Sequence, residues 1–224
     1  MTLFRAHSED PFEGPHQGGP VSTTGPEPED AAVCMILIHG RGASAESILT
    51  LSREFQEPGV HYVAPQASGH TWYPNSFLVP REQNQPGLNS GLQRIADLIA
   101  NLEKRGVSKR NILLLGFSQG ACLACEFAAR HPVRYGGVVG LSGGLIGAEL
   151  PTEEYEGSLE GTPVFLGCSD VDMHIPLDRV HATSEVLKSL GGSVETMIYP
   201  GMGHTVNQDE IDRVKMMIQG VRQG

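Results

Sequence analysis

Apolar and polar residues follow one another along the chain in blocks that predict strands and helices in turn. Short, nearly continuous apolar runs are typical of strands buried on both faces of a sheet. Longer segments with apolar residues three or four positions apart are typical of amphipathic helices. The strand-like runs cover residues 31–40, 59–66, 111–117, 135–145, 162–170 and 193–200, and the helix-like segments cover 44–55, 87–106, 119–132, 178–191 and 209–224.

Their order predicts the fold class. Strands that alternate with helices form a mostly parallel sheet with helices on both faces, because each crossover returns over the sheet. Several helix ends carry the expected signals: Ser44 is a candidate N-cap, Gly106 follows one helix and Pro132 stops another. We therefore predict an α/β fold.

Two segments depart from this alternation. Residues 1–30 are rich in Pro, Gly and acidic residues, and we predict an N-terminal arm with one edge strand near residues 20–24. Residues 31–224 would then form a single domain. Residues 66–86 carry prolines and aromatic side chains and are too long for a simple connection, which predicts a functional loop.

Composition narrows the range of functions. With 224 residues and 39% hydrophobic residues, the chain suits one globular core, and its net charge of −10 argues against nucleic acid and anionic membranes as partners. The first residues, MTLFRAHSEDPFEG, are acidic and lack an apolar core, so we expect no secretory signal, and no run is long enough for integral membrane association.

Four cysteines, Cys34, Cys122, Cys125 and Cys168, lie in apolar surroundings, which favours reduced thiols and a cytoplasmic location. Cys122 and Cys125 form a Cys-x-x-Cys pair, but their helix of small apolar residues favours packing over redox chemistry. A zinc site would need a second ligand pair nearby, and the sequence has none.

A serine framed by glycines is the main chemical candidate. Gly116-Phe117-Ser118-Gln119-Gly120 follows a buried strand and precedes a helix, which is the context of a nucleophile elbow. A plain strand-to-helix turn with a capping serine is the alternative. In the nucleophile interpretation Ser118 needs a base, and the base needs an orienting acid.

The partners should follow the serine in the chain, each on a loop after a later strand. His204, between the last strand and the last helix, fits the base better than His131, His174 or His181. Asp170 and Asp172 both follow the preceding strand, and spacing alone does not separate them. Backbone N–H groups of Gln119, after the serine, and of Arg41, in the early loop HGRGAS, are the candidate oxyanion donors.

The motifs LIHGRGAS, GFSQGA, SDVDMHIP and GMGHTV, in this order, resemble the phospholipase/carboxylesterase family of small α/β-hydrolases, which includes acyl-protein thioesterases. The resemblance runs from about residue 31 to the C-terminus and implies an α/β-hydrolase fold. The family motif Gly-Asp-x-Asp-Pro-x-Val-Pro implies that Asp172 is the catalytic acid. It also implies Ser118 as nucleophile, His204 as base, and Arg41 and Gln119 as oxyanion donors.

Two differences from the family concern the substrate. Acyl-protein thioesterases usually carry leucine at the position of Arg41, and a guanidinium there disfavours long lipid chains. Met173 and His174 replace the usual proline and apolar residue. Apolar residues of the long loop suggest a substrate pocket, with packing under the loop as the alternative: Trp72, Tyr73, Phe77 and Leu78.

These observations predict a serine hydrolase that cleaves carboxylic esters of small to medium acyl chains through an acyl-enzyme. Acyl thioesterase or lysophospholipase-type activity is the alternative. A lactone hydrolase would usually carry cysteine at the elbow, and a non-catalytic ligand-binding homologue has no reason to keep the complete triad order. We expect a small-molecule ester as partner and no metal or organic cofactor, and the sequence permits a homodimer.

Overall fold

The computed structural model describes residues 13–150 and 155–223, which form a seven-stranded sheet flanked by helices. The strand order is β1-β3-β2-β4-β5-β6-β7, and every neighbouring pair is parallel except β1 with β3. The strands are β1 (Val21–Thr24), β2 (Val33–Ile38), β3 (Val60–Pro65), β4 (Ile112–Phe117), β5 (Gly137–Leu141), β6 (Pro163–Ser169) and β7 (Ser193–Tyr199).

Helices cover both faces of the sheet, as the alternating pattern predicts. They are α1 (Ala45–Leu49), α2 (Leu51–Phe55), α3 (Gly87–Lys104), α4 (Gln119–Arg130), α5 (Leu177–Ser189) and α6 (Gln208–Gln223). Side chains of β2 alternate between two apolar clusters. Ile36 and Ile38 pack in the cluster that contains apolar residues of α3, α4 and α5, and Met35 and Leu37 pack with those of α1, α2 and α6. The predicted α/β class, with a mostly parallel sheet between two helical layers, is confirmed.

The helix predicted over residues 44–55 is present as two short helices, α1 and α2, that meet at Thr50. Ser44 caps α1 in a reciprocal capping box with Ser47, as its position predicts. The hydroxyl groups of Thr50 and Ser52 donate to the carbonyl groups of Ser47 and Leu49, both at 2.7 Å. Side-chain donors of this kind compete with the helical N–H groups for the same carbonyls, which explains the interruption.

The N-terminal segment packs on the sheet and on the loop that follows β3. Residues 21–24 of the predicted arm form β1, and residues 1–12 lie outside the described part of the chain. The buried His16 ring lies 2.8 Å from the Trp72 carbonyl and accepts from the N–H of Ser68. Burial lowers the pKa of His16, which agrees with a neutral ring in these contacts.

The long segment after β3 contains two 3-10 turns, Ser68–His70 and Arg81–Asn84, joined by bends and a further turn. Asn84 accepts a hydrogen bond from the N–H of Asn75 and donates to the carbonyl of Ser76. This segment therefore has a defined conformation where it passes the carboxyl ends of the strands. Among the described residues, no helix combines the length and the hydrophobicity that crossing a bilayer requires.

Candidate active site

Ser118 occupies the turn between β4 and α4, with a backbone conformation of φ 55° and ψ −120°. The backbone of a residue other than glycine is strained at this positive φ. The two glycines beside it give the turn its clearance. A Cβ atom at Gly116 would lie 2.1 Å from the Gly120 carbonyl oxygen, and one at Gly120 would lie 2.0 Å from the Ile38 carbonyl oxygen. The G-x-S-x-G spacing is thus a steric requirement of this turn.

Three side chains form one hydrogen-bonded row. Nε2 of His204 lies 2.9 Å from Oγ of Ser118, and Nδ1 lies 2.7 Å from Oδ2 of Asp172. The network assigns a proton to Nδ1, because the carboxylate can only accept there, and leaves Nε2 to accept from the serine hydroxyl. The histidine ring is partly exposed, whereas the Asp172 side chain is fully buried.

The Asp172 carboxylate is held in its ionised form by donors. Burial alone would raise its pKa, but the hydrogen bond from His204 and the N–H groups of His174 and Ile175, at 2.8 and 3.1 Å, reverse the direction. The net result is a lowered pKa for Asp172. A carboxylate that stays charged can orient the histidine and stabilise its protonated form.

Asp170, the other acidic candidate, binds the backbone of the His204 loop and not the His204 ring. Its Oδ1 accepts from the N–H of Gly201 at 2.7 Å, and Ser169 Oγ accepts from the N–H of Gly203 at 3.0 Å. These bonds tie the loop that carries His204 to the end of β6. The sequence did not indicate this supporting position, because the two partners lie more than thirty residues apart in the chain.

The three other candidate histidines do not bind the serine hydroxyl. His174 is exposed and packs edge-on against His204, with ring centroids 4.8 Å apart. His131 follows α4 and packs against Phe127 with the two rings tilted, and His181 is exposed on α5. The structure therefore brings His204, and none of these three, into hydrogen-bond contact with Ser118.

The backbone around the serine offers two N–H groups. Gln119 is the first residue of α4, and the N–H groups of a helix's first turn have no partner within the helix. The loop that contains Gly40 and Arg41 lies directly against the serine, since a Cβ atom at Gly40 would approach the Ser118 Cβ atom to 3.3 Å. Gln119 and the loop that contains Arg41 thus both lie beside the serine, and the N-terminus of α4 favours negative charge there.

The side chains of these two residues also hold the neighbouring loop, which sequence reasoning missed. Gln119 accepts from the N–H of Trp72 at 2.8 Å and donates to the carbonyl of Tyr73 at 2.9 Å. Arg41 donates to the carbonyl groups of Pro74 and Asn75, at 3.0 and 2.7 Å. No local pattern could have indicated these contacts, because they join segments about 30 to 50 residues apart.

A cleft of about 460 Å³ opens over Ser118, and we refer to it as the serine cleft. Tyr73 and Phe77, two of the four predicted pocket residues, line it. Trp72 and Leu78 do not. Trp72 is fully buried in the core, where its indole N–H donates to the His39 carbonyl. Leu78 is partly buried against the same core. The lining residues are Arg41, Tyr73, Pro74, Asn75, Ser76, Phe77, Ser118, Gln119, Cys122, His174, Ile175 and His204.

All four cysteines are free and buried. Burial raises the pKa of Cys122 to about 11 and raises that of Cys125 still further, so neither thiol is a thiolate near neutral pH. These surroundings support the packing interpretation of the Cys-x-x-Cys pair. The part of the chain that the structure describes contains no group of three or more His, Cys, Asp or Glu side chains placed to hold a metal ion.

Comparison with known families gives one match over most of the chain. The family model described as phospholipase/carboxylesterase matches residues 22–221. A crystal structure of a phospholipase/carboxylesterase from Dyadobacter fermentans is 37% identical, with a TM-score of 0.87, and the alignment covers 90% of this chain and 97% of that one. SOBER1 of Arabidopsis thaliana, at 18% identity and a TM-score of 0.72, shares the fold over 86% of this chain and 99% of its own.

Curated relatives are more distant. Acyl-protein thioesterase 1 of Gibberella zeae is 28% identical over 145 residues, which are 62% of this chain and 60% of that protein. The match therefore spans less than two thirds of that relative's length. Lysophospholipase-like protein 1 of Mus musculus is 26% identical over 206 residues, which cover 82% of this chain and 84% of that protein.

Proposed function

The chain belongs to the phospholipase/carboxylesterase family, and we propose that it is a serine hydrolase that cleaves carboxylic esters of small to medium acyl chains. The observation that carries this proposal is the row of hydrogen bonds from Ser118 through His204 to Asp172. A serine hydroxyl is a weak nucleophile near neutral pH, and such a row supplies both the base and the group that orients it.

The proposed reaction follows from the atoms in place. His204 Nε2 accepts the hydroxyl proton as Ser118 Oγ attacks the acyl carbon, and the ring then passes this proton to the departing alkoxide. Asp172 keeps the Nδ1–H in position and stabilises the imidazolium. Water, activated by the same nitrogen, then cleaves the acyl-enzyme and returns the proton to Ser118 Oγ.

The oxyanion that forms during attack needs donors that are already oriented. The backbone N–H groups of Arg41 and Gln119 are proposed for this role, supported by their position on either side of the serine and at the start of α4. Loss of one such donor typically costs several kcal/mol of transition-state stabilisation, ~3 kcal/mol in well-studied cases.

Thioesters are the second candidate substrate class, because the curated relatives include acyl-protein thioesterase and lysophospholipase-like proteins. The same attack and the same oxyanion donors serve an oxygen or a sulfur leaving group. A comparison of ethyl pentanoate with S-ethyl thiopentanoate separates the two, because the acyl group is shared and only the leaving atom differs.

The experiment that tests the proposal replaces the nucleophile. We expect Ser118→Ala to fold with an unchanged circular dichroism spectrum and to lose activity on ethyl pentanoate by several orders of magnitude, since removal of a triad member typically costs roughly 10⁴-fold or more. A fluorophosphonate probe should label the wild type and leave this variant unlabelled. Ser189→Ala on α5 is the control and should label normally; full activity of Ser118→Ala would refute the proposal.

We also propose a cytoplasmic location, supported by the four free and buried cysteines. The proposed reaction needs a small-molecule ester and water, whether the chain acts as a monomer or as a homodimer.

A further inference from the structure

The serine cleft is lined by a cationic side chain in a protein whose net charge is −10. Arg41 lines it, and no Asp or Glu is among its described lining residues. Arg179 lies directly behind it, with its guanidinium 5.9 Å from the centre of the Phe77 ring. A concave site lined by one sign of charge raises the local concentration of ligands of the opposite sign.

The two neighbouring carboxylates are bonded to groups other than Arg41. Asp172 is fully buried behind His204 and bonded to it. Glu126, one turn beyond Cys122 on α4, is also fully buried and pairs with Arg81 and Arg130. Arg179 itself donates to carbonyl groups of the loop after β5, at 2.7 and 2.8 Å, which are neutral acceptors.

Arg41 has donors left over after it has bound the loop. A guanidinium has five N–H groups. Nη1 donates to the Thr71 hydroxyl and the Pro74 carbonyl, both at 3.0 Å, and Nη2 donates to the Asn75 carbonyl. These bonds use three N–H groups. Within residues 13–150 and 155–223, nothing accepts from the Nε–H, and one of the two Nη2–H groups is also without an acceptor.

The Nε–H and the unused Nη2–H can both donate to the oxygens of a carboxylate. The three loop bonds hold the guanidinium in place, so little side-chain entropy remains to be lost when a ligand binds. Arg41 also forms no ion pair within the described part of the chain. Its charge is therefore available at the mouth of the cleft.

We propose that Arg41 is a substrate-binding residue and that the preferred substrates are small esters that carry a free carboxylate, such as monoesters of dicarboxylic acids. This inference rests on the proposed hydrolase function and names its substrate class. A cleft of about 460 Å³ accommodates a molecule of this size. Arg41 thus has two roles. Its backbone N–H donates to the oxyanion, and its guanidinium binds the free carboxylate of the substrate.

The test compares three esters of matched length by pH-stat titration. Ethyl pentanoate is neutral, monoethyl glutarate carries a carboxylate in the acyl part, and pentanoyloxyacetate carries one in the alcohol part. We expect the wild type to favour at least one anionic ester over ethyl pentanoate in kcat/KM. Arg41→Met should lower that anionic-to-neutral ratio about tenfold, which corresponds to one charged hydrogen-bond pair, with most of the change in KM.

Thr71→Val is the control, because it keeps the guanidinium but removes the bond from Arg41 to the Thr71 hydroxyl, together with the bonds of that hydroxyl to Tyr73 and Gln119. It should leave the anionic-to-neutral ratio within about twofold of the wild type. If Arg41→Met does not fold, the wild type alone provides the test, since the preference should fall when ionic strength rises from 0.05 to 0.5 M.

Equal ratios in the wild type and Arg41→Met, a salt-independent ratio, or a loss in Thr71→Val as large as in Arg41→Met would overturn the inference. Each of these results would assign Arg41 to loop support alone. Hydrolysis of ethyl pentanoate that depends on Ser118 would in those cases still support the proposed function, so the two failures are distinguishable.

Discussion

At the scale of single residues, the proposed nucleophile has a strained backbone conformation that two backbone hydrogen bonds hold in place. Ser118 has a positive φ, and its N–H donates to the Leu141 carbonyl at 2.9 Å, while its own carbonyl accepts from the N–H of Cys122. Both bonds belong to the sheet and helix that meet at the turn. The unfavourable conformation is thus fixed by the fold, and it directs the hydroxyl toward His204.

The two adjacent acidic candidates allow a paired substitution. Asp172→Asn places an amide N–H₂ toward Nδ1 of His204, which favours the wrong tautomer, and we expect kcat/KM on ethyl pentanoate to fall roughly 10³- to 10⁴-fold. Asp170→Asn keeps a carbonyl oxygen that can accept from the Gly201 N–H and should change kcat/KM less than about threefold. If the two variants lose activity equally, Asp172 is not the orienting acid.

Sequence motifs indicated the proposed reacting residues but not the side chains that support them. Ser118 and His204 follow from the order of the elements, since each lies where a parallel strand ends. Spacing left Asp170 and Asp172 unresolved, and only the family resemblance favoured Asp172. Trp72 illustrates the limit: its place in a long aromatic loop suggested a pocket, but its indole N–H reaches the His39 carbonyl in the core. Such contacts depend on tertiary packing, which local patterns do not encode.

At the scale of elements, β2, β4 and α4 approach one another so closely that there is no room for a side chain where they meet. Gly120 in the first turn of α4 lies against the carbonyl groups of Ile38 and His39 at the end of β2. Backbone atoms in a central sheet cannot shift as a flexible side chain can. The turn therefore requires glycine at this position for packing.

Two helical glycines test this point against each other. In Gly120→Ala the new methyl group would lie 2.0 Å from the Ile38 carbonyl oxygen, and we expect a loss of about 3 kcal/mol or more in the free energy of unfolding. In Gly220→Ala, on the exposed side of α6, no heavy atom lies within 4 Å, and better helix propensity should add about 0.5–1 kcal/mol. Urea denaturation measures both values, and similar stabilities for the two variants would contradict the steric argument.

The elements themselves were predicted well where apolar periodicity was strong. The central strands and α3 appear as expected because their buried faces dominate their sequences. The interruption at Thr50 was missed because hydroxyl groups, which the apolar pattern ignores, take part in the backbone hydrogen bonding of α1 and α2.

At the scale of the whole molecule, the loop of His204 is joined to the last helix through a buried acid. Glu210 in the first turn of α6 accepts from the N–H of Asn207 at 2.9 Å, and the Asn207 side chain accepts from the N–H of Glu210. The carboxyl group is fully buried, and its Oε1 has no hydrogen-bond partner within the described residues. It packs against Gly167 in β6, where a Cβ atom would approach Oε1 to 2.1 Å.

This acid should make the stability of the protein depend on pH. Burial is the main cause that raises the pKa of Glu210 from 4.5 to about 7, with a smaller contribution from Asp209. Between these two pH values the folded state keeps a proton that the unfolded state has lost. The contribution of Glu210 to stability is therefore complete below pH 4.5 and falls as pH rises to about 7. At 1.36 kcal/mol per pKa unit, the loss is roughly 3 kcal/mol.

Glu210→Gln removes this titration but keeps an oxygen that can accept from the Asn207 N–H. Both proteins are denatured with urea at pH 4.5, 6.0 and 7.5. The free energy of unfolding of the variant relative to the wild type should rise by roughly 3 kcal/mol across this series, because only the wild type must bury a carboxylate or bind a proton at the higher pH. The difference between pH values, and not the stability at any single pH, is the relevant quantity, since it cancels packing changes common to all conditions. If the free energies of unfolding of the two proteins change with pH in parallel, Glu210 ionises equally in the folded and unfolded states. If the variant instead becomes less stable relative to the wild type as pH rises, the ionised carboxylate is the form that stabilises α6.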